Sequence, residues 1–167
     1  MADDIHVSPN GHLLFQGKPY RCALGRGGVR SDKVEGDGAT PAGSWRLRNL
    51  LYRADRIAKP HSLLAAAPIG SNDGWCDDPG DPAYNQPVIL PYAARHERLW
   101  RDDGLYDVVA VLGYNDDPPL PGRGSAIFLH VAQPDYRSTE GCVALAMPDL
   151  LRVIAQCGPE TKLVVSD

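Results

Sequence analysis

Residues 128–143 read Phe128-Leu129-His130-Val131-Ala132-Gln133-Pro134-Asp135-Tyr136-Arg137-Ser138-Thr139-Glu140-Gly141-Cys142-Val143. An apolar strand, near Ser125–Val131, carries a histidine at its end. A turn-rich loop follows, and then a cysteine preceded by glycine, twelve residues after the histidine. The run Val143-Ala144-Leu145 after the cysteine is a short buried strand. Glycine before a nucleophile lets the backbone turn tightly and approach a substrate closely. It also leaves N–H groups free to hold an oxyanion. A neighbouring imidazole lowers a thiol's pKa and supplies thiolate near neutral pH. From spacing alone, however, a strand-end histidine is more often a structural residue.

The rest of the chain surrounds this element with short strands. Seventeen glycines and fifteen prolines in 167 residues favour strands and turns over long helices. His6 to Leu24 reads as a β-meander, with turns at Pro9-Asn10-Gly11 and Gln16-Gly17-Lys18. Arg26 to Gly43 is a glycine-rich loop, in which Arg26, Arg30 and Lys33 read as solvated. A strand follows at Ser44 to Tyr52. Ala58 to Pro91 lacks periodicity and is longer than a simple connection needs, a length that often signals function. Tyr92 to Arg101 reads as a short helix, and Tyr106–Leu112 as an apolar strand. Pro148, placed where a first helical turn lacks N–H partners, opens a second short helix that ends at Gly158. Lys162 to Ser166 closes the chain as a strand. The predicted fold is therefore mainly β, a small sandwich or barrel-like sheet with two short helices in a single domain over 1–167.

Bulk properties remove several function classes. The net charge is −4, with no basic run, which argues against nucleic acid. No apolar run reaches the roughly 18–20 residues of a membrane span. The stretch Met1-Ala2-Asp3-Asp4-Ile5-His6 has neither a basic nor an apolar leader region. A cytoplasmic location is the favoured expectation, with a periplasmic one if a leader has been removed. Cys22, Cys76, Cys142 and Cys157 form no CxxC pair, so zinc-site spacing is absent and no metal is expected. Cys22, Cys76 and Cys157 read as free buried thiols. His6, His12, His61 and His96 are isolated and carry no assigned chemistry.

Phe128-Leu129-His130 with Ser138-Thr139-Glu140-Gly141-Cys142-Val143 resembles the signature of the L,D-transpeptidase catalytic domain, the YkuD-type family. Upstream, Glu35-Gly36-Asp37-Gly38-Ala39-Thr40-Pro41-Ala42-Gly43 is similar to that family's glycine-rich motif, which ends in Thr-Pro-x-Gly and leads into a strand. The two motifs occur in the family's order, and the resemblance covers about residues 20 to 167. Glu140 and Ala144 stand where many members have His and Asn or Arg, which points to a divergent branch.

The resemblance implies a concrete chemistry. Family enzymes act on peptidoglycan stem peptides, at the bond between an L-centre, usually of diaminopimelate, and D-alanine. Cys142 would attack that carbonyl, and His130 would take the thiol proton and return it to the leaving amine. The Val131 carbonyl, or another backbone acceptor, would fix the imidazole tautomer. Gly141 and Cys142 would offer N–H groups to the oxyanion, and no metal or organic cofactor is needed. Among expected substrate contacts are Arg137, Tyr114, Ser138, Thr139 and Glu140. Two readings stand for Arg137: a bidentate grip on a substrate carboxylate, or a solvated loop arginine. Tyr114 and Asn115 line the cleft or, for Asn115, build a turn. Glu140 orients His130 or repels an anionic acceptor. Trp75, Asp77, Asp78, Tyr84 and Asn85 are a cleft wall or, more conservatively, a structural loop.

Three activities fit: an L,D-carboxypeptidase in which water takes the acyl group, a crosslinking L,D-transpeptidase in which an amine takes it, and a non-catalytic module that binds wall peptides. Retention of Cys142 and His130 speaks against the last. The partner expected in each case is a peptidoglycan stem peptide, with no nucleic acid and no membrane insertion. Oligomeric state is left open.

Overall fold

A computed structural model describes residues 3–167. Its fourteen strands are β1 (Ile5–Ser8), β2 (His12–Phe15), β3 (Lys18–Arg21), β4 (Val29–Arg30), β5 (Thr40–Pro41), β6 (Gly43–Tyr52), β7 (Ala66–Pro68), β8 (Asp73–Cys76), β9 (Pro87–Ile89), β10 (His96–Arg98), β11 (Val108–Leu112), β12 (Phe128–Val131), β13 (Val143–Leu145) and β14 (Lys162–Val165). The helix α1 spans Met147–Ile154. The fold is mainly β, as the punctuation of the chain implies.

Nine strands form one sheet in the order β13-β12-β11-β6-β14-β1-β2-β3, with β7 beside β6. The chain beyond β3 then returns to β13. Ala23 N–H donates to Ala144 O at 2.8 Å and Ala144 N–H donates back to Ala23 O at 3.0 Å. These bonds nearly close the sheet into a barrel and occupy edges that would otherwise stay unpaired. The predicted turns of the first meander are both present, and Gly11 and Gly17 take positive φ there.

Period-two alternation decides what each strand buries. On β11, Val108, Ala110 and Leu112 face the barrel interior, while Val109 and Val111 face outward into a second cluster. On β12, Leu129 points inward and Phe128 outward. Register pairs Val111 with Phe128 and Val109 with His130, so His130 shares the outward face. That face is covered by a small sheet in the order β10-β8-β9. Trp75 on β8 meets the Phe128 ring edge-on, 5.1 Å between centroids. Each apolar side chain fully removed from water here stabilises the fold by roughly 1.5–3 kcal/mol. The active cleft lies between barrel and cover.

Two local expectations are corrected. Tyr92–Arg101 is not helical. His96–Arg98 pairs with β8, and His96, Glu97 and Arg98 oppose Cys76, Trp75 and Gly74. Tertiary partners override local propensity here: Tyr92 Oη donates to Asp81 at 2.7 Å, and Arg95 Nε donates to Asp77 at 3.0 Å. Among the described residues there is thus one helix, α1, where two were expected. Its boundary also falls earlier than Gly158, with Leu150, Val153 and Ile154 buried. The second correction concerns Lys33. It is 4% exposed, paired with Asp37 at 2.8 Å, and not part of a solvated surface. Asp37 also accepts from Val34 N–H and Ala39 N–H, so it organises the glycine-rich loop. Arg30, by contrast, is exposed and pairs with Asp32.

No helix among the described residues is long and apolar enough to cross a membrane.

Candidate active site

Cys142 stands just before β13, which runs parallel to β12 with Leu129 opposite Val143 and His130 opposite Ala144. Parallel pairing therefore sets Cys142 on the outward face beside Phe128 and His130. Gly141 takes φ +136, and a Cβ there would lie 2.8 Å from the Ala39 carbonyl oxygen. Only glycine fits that approach. Thr139 clasps the turn: its Oγ1 donates to Cys142 O at 2.6 Å and accepts from Gly141 N–H at 3.1 Å. The expected pair of oxyanion donors is thereby reduced, since the Gly141 N–H is already engaged.

The thiol itself is held from both sides. Cys142 Sγ donates to Ala126 O at 3.2 Å and accepts from Phe128 N–H at 3.3 Å. Ala126 has φ +53, a conformation few non-glycine residues adopt. It is kept there by Asn85, whose Oδ1 accepts from Ala126 N–H at 3.0 Å and from Trp75 Nε1 at 2.9 Å. Asn85 Nδ2 donates to the Tyr114 and Asn115 carbonyls, so no polar atom of this amide is wasted. Strained backbone beside a nucleophile, pinned by buried hydrogen bonds, is a common property of active sites.

His130 is 5% exposed, with Nδ1 2.9 Å from Val131 O. A carbonyl only accepts, so Nδ1 carries the proton and Nε2 is the basic nitrogen. Tyr106 packs edge-on against the imidazole at 5.2 Å and against Phe128 at 5.8 Å. Its hydroxyl donates to Glu97, and Arg101 lies 5.1 Å over its ring.

Burial governs both titrating groups. It pushes the Cys142 thiol up to about 12, reinforced by the Glu97 charge and opposed by Phe128 N–H, Lys33 and Arg101. It pulls His130 down to about 4, against the Val131 hydrogen bond, which favours the protonated ring. Both shifts favour the uncharged forms, so burial works against the lowered thiol pKa that a neighbouring imidazole would give.

Both residues line one cleft of about 430 Å³, together with Glu35, Asp77, Glu97, Arg101, Ser125 and the loop from Arg137 to Glu140. Arg137 reaches this cleft with its side chain largely exposed and 3.5 Å from Asp135. Ser138 and Thr139 are present, Thr139 chiefly as the clasp of the turn. Glu140 does not orient His130. It is 79% exposed and pairs with Arg26 at 2.9 Å. Tyr114 is not brought to the cleft: its ring meets Trp45 at 4.9 Å and its hydroxyl donates to Arg123 O at 2.5 Å. Asn115 builds a turn, accepting from Leu120 N–H and donating to Leu120 O and Gly124 O. Of the irregular middle segment, Asp77 reaches the cleft, while Trp75, Tyr84 and Asn85 support it from behind. Among the described residues no group of three His, Cys, Asp or Glu is placed to hold a metal.

Glu97, Arg101 and Tyr106 went unread in the sequence as cleft residues. A helical reading of 92–101 hid the strand that turns Glu97 inward. An acid and an arginine four residues apart carry no signal by themselves.

The family model of the L,D-transpeptidase catalytic domain, YkuD, matches residues 4–165. The chain belongs to that family, and its chemistry is cysteine catalysis on peptidoglycan. No curated protein matches it.

Proposed function

We propose that the chain is an L,D-carboxypeptidase. Cys142 Sγ attacks the carbonyl that joins the L-centre of the third stem residue to D-alanine. His130 Nε2 takes the thiol proton as the S–C bond forms. The same proton passes to the departing nitrogen, D-alanine leaves, and a thioester remains. Water then adds to the thioester while His130 Nε2 accepts its proton. Collapse releases the tripeptide carboxylate, and the proton returns to Cys142 sulfur.

The observation that carries this reading is that parallel pairing sets His130 and the Cys142 thiol on one face and in one cleft, where burial favours the uncharged form of each. An imidazole held neutral by burial is competent as a base across the physiological range. A volume near 430 Å³ lies low in the roughly 300–1,000 Å³ span of small-molecule sites. It accommodates one peptide end, and this reading takes water as the acceptor there.

The test is incubation of the protein with purified disaccharide-tetrapeptide, with and without an amine acceptor, followed by mass analysis. Tripeptide plus free D-alanine is expected as the main product pair. Dominant crosslinked dimer would replace this reading with a transpeptidase one while leaving Cys142 and His130 in their roles.

A further inference from the structure

The charged groups lining the cleft are nearly all paired. Asp77 meets Arg95 at 3.0 Å, Glu140 meets Arg26 at 2.9 Å, and Glu97 meets Arg101 at 3.7 Å. Arg101 also pairs with Asp103, and Arg137 lies near Asp135. Glu35 is the exception. Among the described residues it is the cleft carboxylate with no cation within salt-bridge distance. Its partners are hydroxyls: Oε1 accepts from Tyr84 Oη at 2.8 Å and from Ser125 Oγ at 2.5 Å.

This anchoring is well made. Tyr84 is buried, and its own oxygen accepts from Gly124 N–H at 2.9 Å. Ser125 is followed directly by Ala126, whose carbonyl holds the Cys142 thiol. One carboxylate oxygen is thus saturated, and the group is fixed against the residue that precedes the thiol's carbonyl partner. Glu35 itself is half-buried and borders the cleft. A fixed anion in a cleft otherwise balanced in charge is a receptor for a cation.

We propose that Glu35 is a specificity-determining residue that receives a primary ammonium of the acyl-donor peptide. Glu35 borders the same cleft as Cys142 and is tied to it through Ser125 and Ala126, which assigns that ammonium to a residue flanking the scissile carbonyl. The leaving amino acid offers there an amide nitrogen and a carboxylate, neither of them cationic. The ammonium therefore belongs to the side chain of the residue that becomes the thioester. This assignment rests on the peptide substrate proposed above, but its test does not need turnover.

The experiment is calorimetric binding to the Cys142→Ala protein. Two tetrapeptides are compared: one bearing a free side-chain amine on its third residue, and the same peptide N-acetylated at that amine. A charge-assisted hydrogen bond of ordinary strength gives a difference of about tenfold or more in favour of the free amine. Adding Glu35→Gln should weaken the free-amine peptide by that factor and leave the acetylated one within about twofold. Glu35→Asp, which keeps the charge on a shorter arm, should retain part of the preference. Equal affinity of the two peptides for the Cys142→Ala protein overturns the proposal whatever the variants do. So does equal weakening of both peptides by Glu35→Gln, which marks a purely structural clasp. Failure of the wild type to release D-alanine would count against the reaction alone and not against this preference.

Discussion

Asn85 Oδ1 lies 3.0 Å from the Ala126 amide nitrogen, and the Ala126 carbonyl receives the Cys142 thiol at 3.2 Å. A buried amide more than fifty residues upstream thus fixes the resting position of the nucleophile. Asn85→Ala would orphan Trp75 Nε1, the Ala126 N–H and two carbonyls in a dry site. Each such loss costs about 1–3 kcal/mol before relaxation. We expect a net destabilisation of about 2–4 kcal/mol in urea unfolding, with turnover lowered at saturating substrate. A variant as stable as wild type would show that water replaces the amide.

Gly141→Ala places a side chain at φ +136 and 2.8 Å from the Ala39 oxygen. Strained backbone of this kind costs about 1–3 kcal/mol, and relief requires the nucleophile to move. Displacement by about 1 Å is enough to slow turnover roughly 100-fold. Steady-state kinetics checks this, and wild-type kcat in the variant would contradict the placement of Cys142.

The titration of the site has a defined direction. Burial holds the folded His130 at about 4, below its ordinary 6.5. The unfolded chain therefore binds more protons between those values. The stability that neutral His130 contributes is complete above pH 6.5 and is lost as pH falls toward 4. Turnover should accordingly persist into mildly acidic buffer. Because the thiol is pushed up to about 12, alkylation of Cys142 at pH 7 should be slower than that of free cysteine and should rise steeply in alkali. Alkylation at pH 7 faster than free cysteine would reveal a preformed ion pair.

Glu140 is exposed and paired with Arg26, so its charge is screened and partly compensated. Glu140→His or Glu140→Gln should change the ratio of hydrolysis to amine capture by no more than about twofold. Product mass analysis at equal substrate decides this. A large shift toward dimer would restore Glu140 as a determinant of acceptor choice.

Much of the fold was legible because strand alternation and turn residues are local. The meander turns at Gly11 and Gly17, the strand of Ser44–Tyr52 and the apolar run before His130 announce themselves. That Cys142 and His130 border one cleft was legible through the motif that contains both. Contacts made between distant segments were not. Glu97 faces the cleft only because β10 pairs with β8, and nothing near residue 97 encodes that pairing. Lys33 reads as a loop cation until the fold buries it against Asp37. Tyr114 precedes the histidine strand in sequence, but Trp45 and the Arg123 carbonyl hold it away from the cleft.

Release of D-alanine from disaccharide-tetrapeptide, compared between wild type and Cys142→Ala, tests the acyl-enzyme account most directly. The wild type should release D-alanine stoichiometrically with tripeptide, and Cys142→Ala should stay at the uncatalysed background while Cys22→Ala, Cys76→Ala and Cys157→Ala retain turnover. Release by Cys142→Ala at the wild-type rate would contradict the account.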